Sequence, residues 1–179
     1  MRELTDSDRL ARFMRALGRS ADAPGSCYLT GGATAVLLGW RSSTIDVDIL
    51  LIPESEALLR AIQRLKDELQ INVELASPAD FIPVPPGWED RSLPAGREGK
   101  VSYYHYDLVA QALAKLERAH TRDLEDVDAM LERGHVDSRE AFDYFERIAP
   151  DLYRFPAIDA RAFRQRVETA LGRSRPELS

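Results

Sequence analysis

Apolar positions in the first half of the chain alternate between two rhythms. Leu10, Phe13, Met14 and Leu17 recur at the spacing of one helical face, with Asp6 or Ser7 able to cap the start, so a helix is predicted over residues 4–19. Ala23-Pro24-Gly25 breaks it, and Cys27 to Thr30 reads as a short strand. Gly31-Gly32 then turns the chain into an apolar helix over 33–40. Residues 45–52 form the clearest strand, with Ile45, Val47, Ile49 and Leu51 on one face and Asp46, Asp48, Leu50 and Ile52 on the other. Pro53 stops it. Leu58, Leu59, Ile62, Leu65 and Leu69 predict a helix over 55–69, and Ile71, Val73 and Leu75 alternate with Asn72 and Glu74 in a further strand over 71–76. The order α-β-α-β-α-β lays helices on a sheet.

From residue 77 the pattern changes. Pro78, Pro83, Pro85, Pro86 and Pro94 argue against regular pairing over most of 77–99. A strand is predicted to return near 100–106, and the remainder is helical: about 108–119, 121–133, 138–148 and 159–172, the last capped by Asp159. The expected class is α+β, a mixed sheet flanked by helices, with an α/β core over 1–106 and a helical C-terminal region over 107–179 packed on it.

The chain has 179 residues, 44% of them hydrophobic, which suits a globular protein with a real core. No apolar run approaches the ~20 residues that span a bilayer, so no membrane partner is expected. The N-terminus lacks a signal-peptide apolar segment, and Cys27 is the single cysteine, so a cytoplasmic protein without internal disulfides is expected. A net charge of −6 argues against a wholly basic nucleic-acid surface; Arg161, Arg164, Arg166, Arg173 and Arg175 read first as a solvated helix face.

The unusual chemistry lies in Leu29 to Leu51. Side-chain-free residues between strand and helix let backbone amides approach an anion, and a helix start adds partial positive charge. Gly31-Gly32 alone reads first as a plain tight turn. After Gly32, thirteen residues intervene before Asp46-Val47-Asp48. Two carboxylates on one strand face converge to ~5 Å and repel by about 3 kcal/mol at an effective dielectric near 20. At the rim of a core, that repulsion calls for a cation, and carboxylate oxygens suit Mg²⁺ together with substrate phosphates. A hydrated surface pair is the plain alternative. Glu74, on the polar face of the next strand, can complete a metal site or take a proton from an attacking hydroxyl.

Gly31-Gly32, the thirteen-residue spacer and Asp46-Val47-Asp48-Ile49 resemble the signature of the nucleotidyltransferase superfamily of polymerase-beta-like fold. More narrowly, the chain is similar to small bacterial nucleotidyltransferase-like proteins of uncharacterised function, related to abortive-infection and toxin–antitoxin nucleotidyltransferases. Arg41 and Thr44 fit an Arg-x-x-Thr-x-Asp-x-Asp wording, Tyr106 to Lys115 resembles a lysine-bearing helix, and Arg122 to Val127 an Arg-Asp-x-x-Asp helix. The resemblance implies one or two Mg²⁺ ions, a nucleoside triphosphate as substrate, and transfer of its monophosphate to a hydroxyl of RNA, protein or a small molecule. It implies catalytic and metal-binding roles for Asp46, Asp48 and Glu74. Nucleotide binding would fall to Gly31, Gly32, Thr34, Arg41, Thr44, Lys115 and Asp126. Glu74 stands where an aspartate is usual in active members. The alternative is therefore a catalytically silent interaction protein, one half of a toxin–antitoxin pair.

Overall fold

The computed structural model describes residues 3–172, so Arg173 and Arg175 lie outside the described residues. It divides into two compact units. The first takes the chain through Ser77 together with Ser92–Tyr106; the second takes Pro78–Arg91 and the chain from Asp107 onward.

The first unit is built on strands and three helices. In chain order these are β1 (Thr5–Asp6), α1 (Ser7–Ser20), β2 (Gly25–Thr30), α2 (Gly32–Leu38), β3 (Ser43–Thr44), β4 (Asp46–Ile52), α3 (Glu56–Glu68) and β5 (Asn72–Leu75). After the helix α4 (Trp88–Arg91), which belongs to the second unit, come β6 (Leu93–Glu98) and β7 (Val101–His105). Five strands form one mixed sheet in the order β5-β4-β2-β7-β6, and β1 pairs with β3 in a two-stranded ribbon. β2 runs antiparallel to β4 and parallel to β7, β4 runs parallel to β5, and β6 antiparallel to β7. The expected α+β class and mixed sheet are thus present.

Capping chemistry sets the helix starts. Asp6 accepts the Arg9 amide at 2.8 Å and Ser55 accepts the Leu58 amide at 3.2 Å, so each satisfies an N–H left over in a first turn. The inward faces of α1 (Leu10, Phe13, Leu17) and α3 (Leu58, Ile62, Leu65) bury against the apolar face of the sheet, where Val47, Ile49, Leu51 and Val73 lie. Fully burying each such side chain contributes about 1.5–3 kcal/mol. The opposite sheet face carries Tyr28 and Thr30 of β2, Asp46, Asp48 and Leu50 of β4, and Asn72 and Glu74 of β5, as the pairing register requires.

Two sequence expectations change. Ile45, assigned to the buried face of the strand, is 59% exposed, because the strand begins at Asp46 and β3 ends just before it. Leu50 is half-buried and Ile52 is 43% exposed, so the aspartate face stays open along its length. The proline-bearing stretch also contains a strand. β6 tolerates Pro94 because it is the outermost strand beside β7, with a register irregularity between Pro94 and Gly96.

The second unit holds α4, α5 (Leu108–Arg118), α6 (Thr121–Glu132), α7 (Ser138–Ile148) and α8 (Ala160–Gly172). α5 packs against α6, α7 and α8. Phe145 and Phe163 meet edge-on with centroids 5.0 Å apart. Asp107 caps α5 by accepting the Val109 amide at 3.2 Å, and its other oxygen takes Arg91 Nε at 2.8 Å and the Tyr144 hydroxyl at 3.1 Å. Arg91 also donates to the carbonyls of Pro86 and Pro85, each at 3.0 Å. Prolines cannot enter a ladder as donors, but their carbonyls can accept, and one guanidinium ties this stretch to the helices. Arg164, one of the C-terminal arginines, pairs with Glu146 and lies over the Phe145 ring, which accords with a solvated helix face. No helix among the described residues is long and apolar enough to cross a membrane.

Where α1 crosses the β6–β7 turn, backbone packs directly on backbone. A methyl group on Gly18 of α1 would stand 2.2 Å from the Glu98 carbonyl oxygen, and one on Gly99 would stand 2.5 Å from the Gly18 carbonyl. Gly18→Ala is expected to lower unfolding free energy in urea by ~1–3 kcal/mol, despite alanine's better helix propensity. Gly172→Ala, where an added methyl meets nothing within 4 Å, is the control that should not destabilise.

Candidate active site

β2 delivers the chain to Gly31, which adopts φ 60° and ψ −128°, a conformation that side-chain-bearing residues rarely take. α2 begins at the next residue. Each glycine has a separate reason to be there. A methyl on Gly31 would come 3.3 Å from Asp48 Oδ2, so the turn lies directly beside that carboxylate. A methyl on Gly32 would stand 1.9 Å from Thr44 Oγ1, an impossible contact. Thr44 is buried, pairs with Thr5 across the ribbon, and donates from Oγ1 to the Asp46 carbonyl at 2.9 Å. Thr44 therefore packs on the bare α-carbon of Gly32 while holding the first residue of β4.

The acids follow from register. Asp46 lies opposite Asn72 and Asp48 opposite Glu74 in the parallel β4–β5 pair; Thr30 flanks Asp48 on the other side. Neighbours across a sheet sit about 4.8 Å apart, so Asp48 and Glu74 share one patch. Asp46 and Asp48 are half-buried and Glu74 is exposed. The Asn72 amide donates to Asp46 Oδ1 and reaches Glu74 Oε1 at 3.5 Å, so one neutral donor softens repulsion between these acids. The sequence pattern placed Asn72 beside Glu74; only the register reveals it facing Asp46. Among the described residues, no group of three His, Cys, Asp or Glu side chains is arranged to hold a metal ion. Two carboxylates on one face remain, hard oxygen donors of the kind Mg²⁺ takes when phosphates and water fill its other positions.

Thr34 and Arg41 occupy different settings. Thr34 is fully buried in α2; its hydroxyl donates to the Leu29 carbonyl at 3.2 Å and lies 3.0 Å from His105 Nδ1. The Tyr106 amide donates to the same Leu29 carbonyl at 2.8 Å. These bonds brace the last residues of β2 from beneath the glycine turn. The His105 contact depends on β7 running parallel to β2, with Leu29 opposite His105. Arg41 is half-buried just past α2, and its amide donates to the Ala35 carbonyl at 3.3 Å. Cys27 is wholly buried, and burial pushes its thiol well above the ordinary range, so it is an inert packing group.

Lys115 and Asp126 meet each other inside the helical unit. Lys115 Nζ lies 2.6 Å from Asp126 Oδ2 and 3.7 Å from Asp123 Oδ1, with all three side chains buried. Arg118 grips Asp123 through two nitrogens at 2.8 and 2.6 Å. Burial pushes the Asp123 carboxyl upward, but the Arg118 hydrogen bonds and charge, the Lys115 charge and the His120 amide outweigh it and hold the group below the ordinary range.

A family model described as "Nucleotidyltransferase of unknown function (DUF6036)" matches residues 8–164, and the chain belongs to that family. The match takes in the glycine turn, β4, β5 and the Lys115–Asp126 pair. No curated protein and no solved structure matches the chain.

Gly32→Ala is expected to destabilise the fold by ~1–3 kcal/mol, read by urea denaturation, because Thr44 cannot retreat without releasing the Asp46 carbonyl. Asp123→Asn is expected to cost about 1–3 kcal/mol at neutral pH. Because the folded carboxyl titrates below the unfolded one, this stabilisation is present above the ordinary aspartate range and is lost as pH falls through the folded value. Thermal melts of the two proteins should therefore converge in acid and diverge toward pH 7.

Proposed function

We propose that this protein is a Mg²⁺-dependent nucleotidyltransferase that moves the nucleoside monophosphate of a triphosphate onto a hydroxyl acceptor. The observation that carries the reading is the Asp48 carboxylate lying against the Gly31 turn, with Asp46 on the same strand face. A like-charged pair beside a side-chain-free bend attracts a cation and, through it, the phosphates that accompany it. Membership of a family described as nucleotidyltransferases supports the same chemistry.

In this reading Asp46 and Asp48 are the residues that would hold Mg²⁺, which supplies charge neutralisation to the triphosphate. Gly31 and Gly32 let the phosphates approach the backbone closely. Thr44 and Thr34 keep the turn and the acid strand in register with each other, Thr44 from the β4 side and Thr34 through Leu29. Glu74, exposed and in register with Asp48, is the base that accepts the acceptor's proton. Transfer of this kind depends on positioning and charge more than on a protein nucleophile, and no nucleophilic side chain is assigned. The buried thiol and the absence of a membrane-spanning helix among the described residues are compatible with action in the cytoplasm.

A second reading, a nucleotide-binding interaction protein without turnover, draws on the lack of a three-acid metal group among the described residues and on the engagement of Asp46 by Asn72. Calorimetric titration with the four triphosphates, with and without Mg²⁺, tests the common ground. Asp46→Asn combined with Asp48→Asn is expected to weaken Mg²⁺-dependent binding by at least about tenfold, or 1.4 kcal/mol, with the far-ultraviolet dichroism unchanged. Equal binding by the double variant would remove the basis of both readings. Binding without transfer of label from an α-labelled triphosphate would favour the silent protein.

A further inference from the structure

The acceptor can be argued from the edge of the sheet, on the basis of the transferase reading above. Among the described residues β5 is the outermost strand and pairs only with β4. The Ala76 amide donates to the Ile49 carbonyl at 3.1 Å, which fixes the phase of this parallel ladder. Residues alternate in the side to which they turn both backbone groups, so Glu74 bonds inward to β4 while Val73 and Leu75 point outward. Val73 is buried, but Leu75 is 47% exposed, so the outward backbone is accessible at the C-terminal end of the strand. A groove of about 630 Å³ runs between this edge and α3, lined among others by Leu59, Arg60, Lys66, Glu74 and Leu75. Glu74 belongs both to this groove and, by register, to the patch beside Asp48.

We propose that the groove is the acceptor channel and that the acceptor is an extended polypeptide segment, laid along the open end of β5 with a Ser, Thr or Tyr hydroxyl presented beside Glu74. Three observations favour a polypeptide. A sheet edge recognises extended backbone through its outward N–H and C=O groups, and Leu75 offers one of each. Half-buried Leu59 and exposed Leu75 give apolar surface for a guest side chain. The charges lining the groove cancel, Glu56 and Glu74 against Arg60 and Lys66, whereas a nucleic-acid backbone is held by a net cationic track.

A strand added about 4.8 Å from β5 brings a guest side chain next to Glu74 on the same sheet face. The guest hydroxyl oxygen forms a bond to the α-phosphorus. The bond from that phosphorus to the bridging oxygen breaks, and pyrophosphate leaves with the electron pair. The hydroxyl proton passes to the Glu74 carboxylate. The products are a peptide phosphodiester and pyrophosphate.

The test uses the full chain and a pool of fluorescein-labelled degenerate peptides, each with one central Ser, Thr or Tyr flanked by alternating apolar positions. Binding is read by anisotropy with Mg²⁺ and a non-hydrolysable triphosphate analogue, and transfer by label from α-labelled triphosphate, with total RNA offered in parallel. Leu75→Pro removes the outward N–H without deleting a bond to β4. The proposal expects peptide binding, at least about tenfold weaker in Leu75→Pro with triphosphate binding unchanged, and label on peptide rather than RNA. Label on RNA alone, or equal peptide binding by the variant, overturns it. Triphosphate binding with no peptide binding overturns the acceptor assignment alone. Failure of the wild type to bind any triphosphate overturns the transferase reading itself.

Discussion

The arrangement depends on one steric fact: Thr44 occupies the space where a side chain on Gly32 would be. That contact brings the segment before β4 against the first turn of α2, and the Thr44 hydroxyl then fixes the Asp46 carbonyl. Once the start of β4 is set, strand alternation alone sends Asp46 and Asp48 to one face and Val47 and Ile49 to the other. The acids thus stand where they do because of a threonine and a missing methyl group, with no attraction between charges required. Asn72 then lowers the electrostatic cost with a neutral donor, which leaves the carboxylate pair negative.

The two units use charge in opposite ways. In the sheet unit the acids lie on an open face, half-buried or exposed, so their field reaches solvent. In the helical unit Asp123, Asp126 and Asp107 are buried, and each has a cation within hydrogen-bonding distance. Buried pairs of this kind gain little net stability over apolar packing but are costly to leave half-made, which favours one arrangement of the helices over its neighbours. The first pattern suits recognition of something cationic; the second suits holding a shape.

Most of the secondary structure was legible because it rests on local rules. Leu10, Phe13 and Leu17 mark their helix by spacing, Asp6, Ser55 and Asp159 cap helix starts, and the glycine–aspartate spacing marks the candidate site without knowledge of the fold. Readings failed where a residue's meaning depended on a distant neighbour. Pro94 reads as a breaker until β6 is known to be an outer strand, where proline does little harm. Ile45 fits the alternation perfectly and still lies outside the strand, since the ribbon ends at Thr44 and β4 begins at Asp46, one residue later than periodicity suggests. The facing of Asn72 onto Asp46, the His105–Thr34 contact and the Arg91–Asp107 tie depend on register or on long-range packing, and a single sequence carries no signal for either.

The crossing of α1 with the β6–β7 turn limits how this sequence can drift. A methyl on Gly18 would run into the Glu98 carbonyl and one on Gly99 into the Gly18 carbonyl, so main chain lies against main chain at both positions. A larger residue at either place cannot be accommodated by a smaller side chain opposite, since what it would meet first is backbone. Neutral paths through sequence space are therefore closed at both positions together, and reopening them would take an insertion that lifts the hairpin away from the helix.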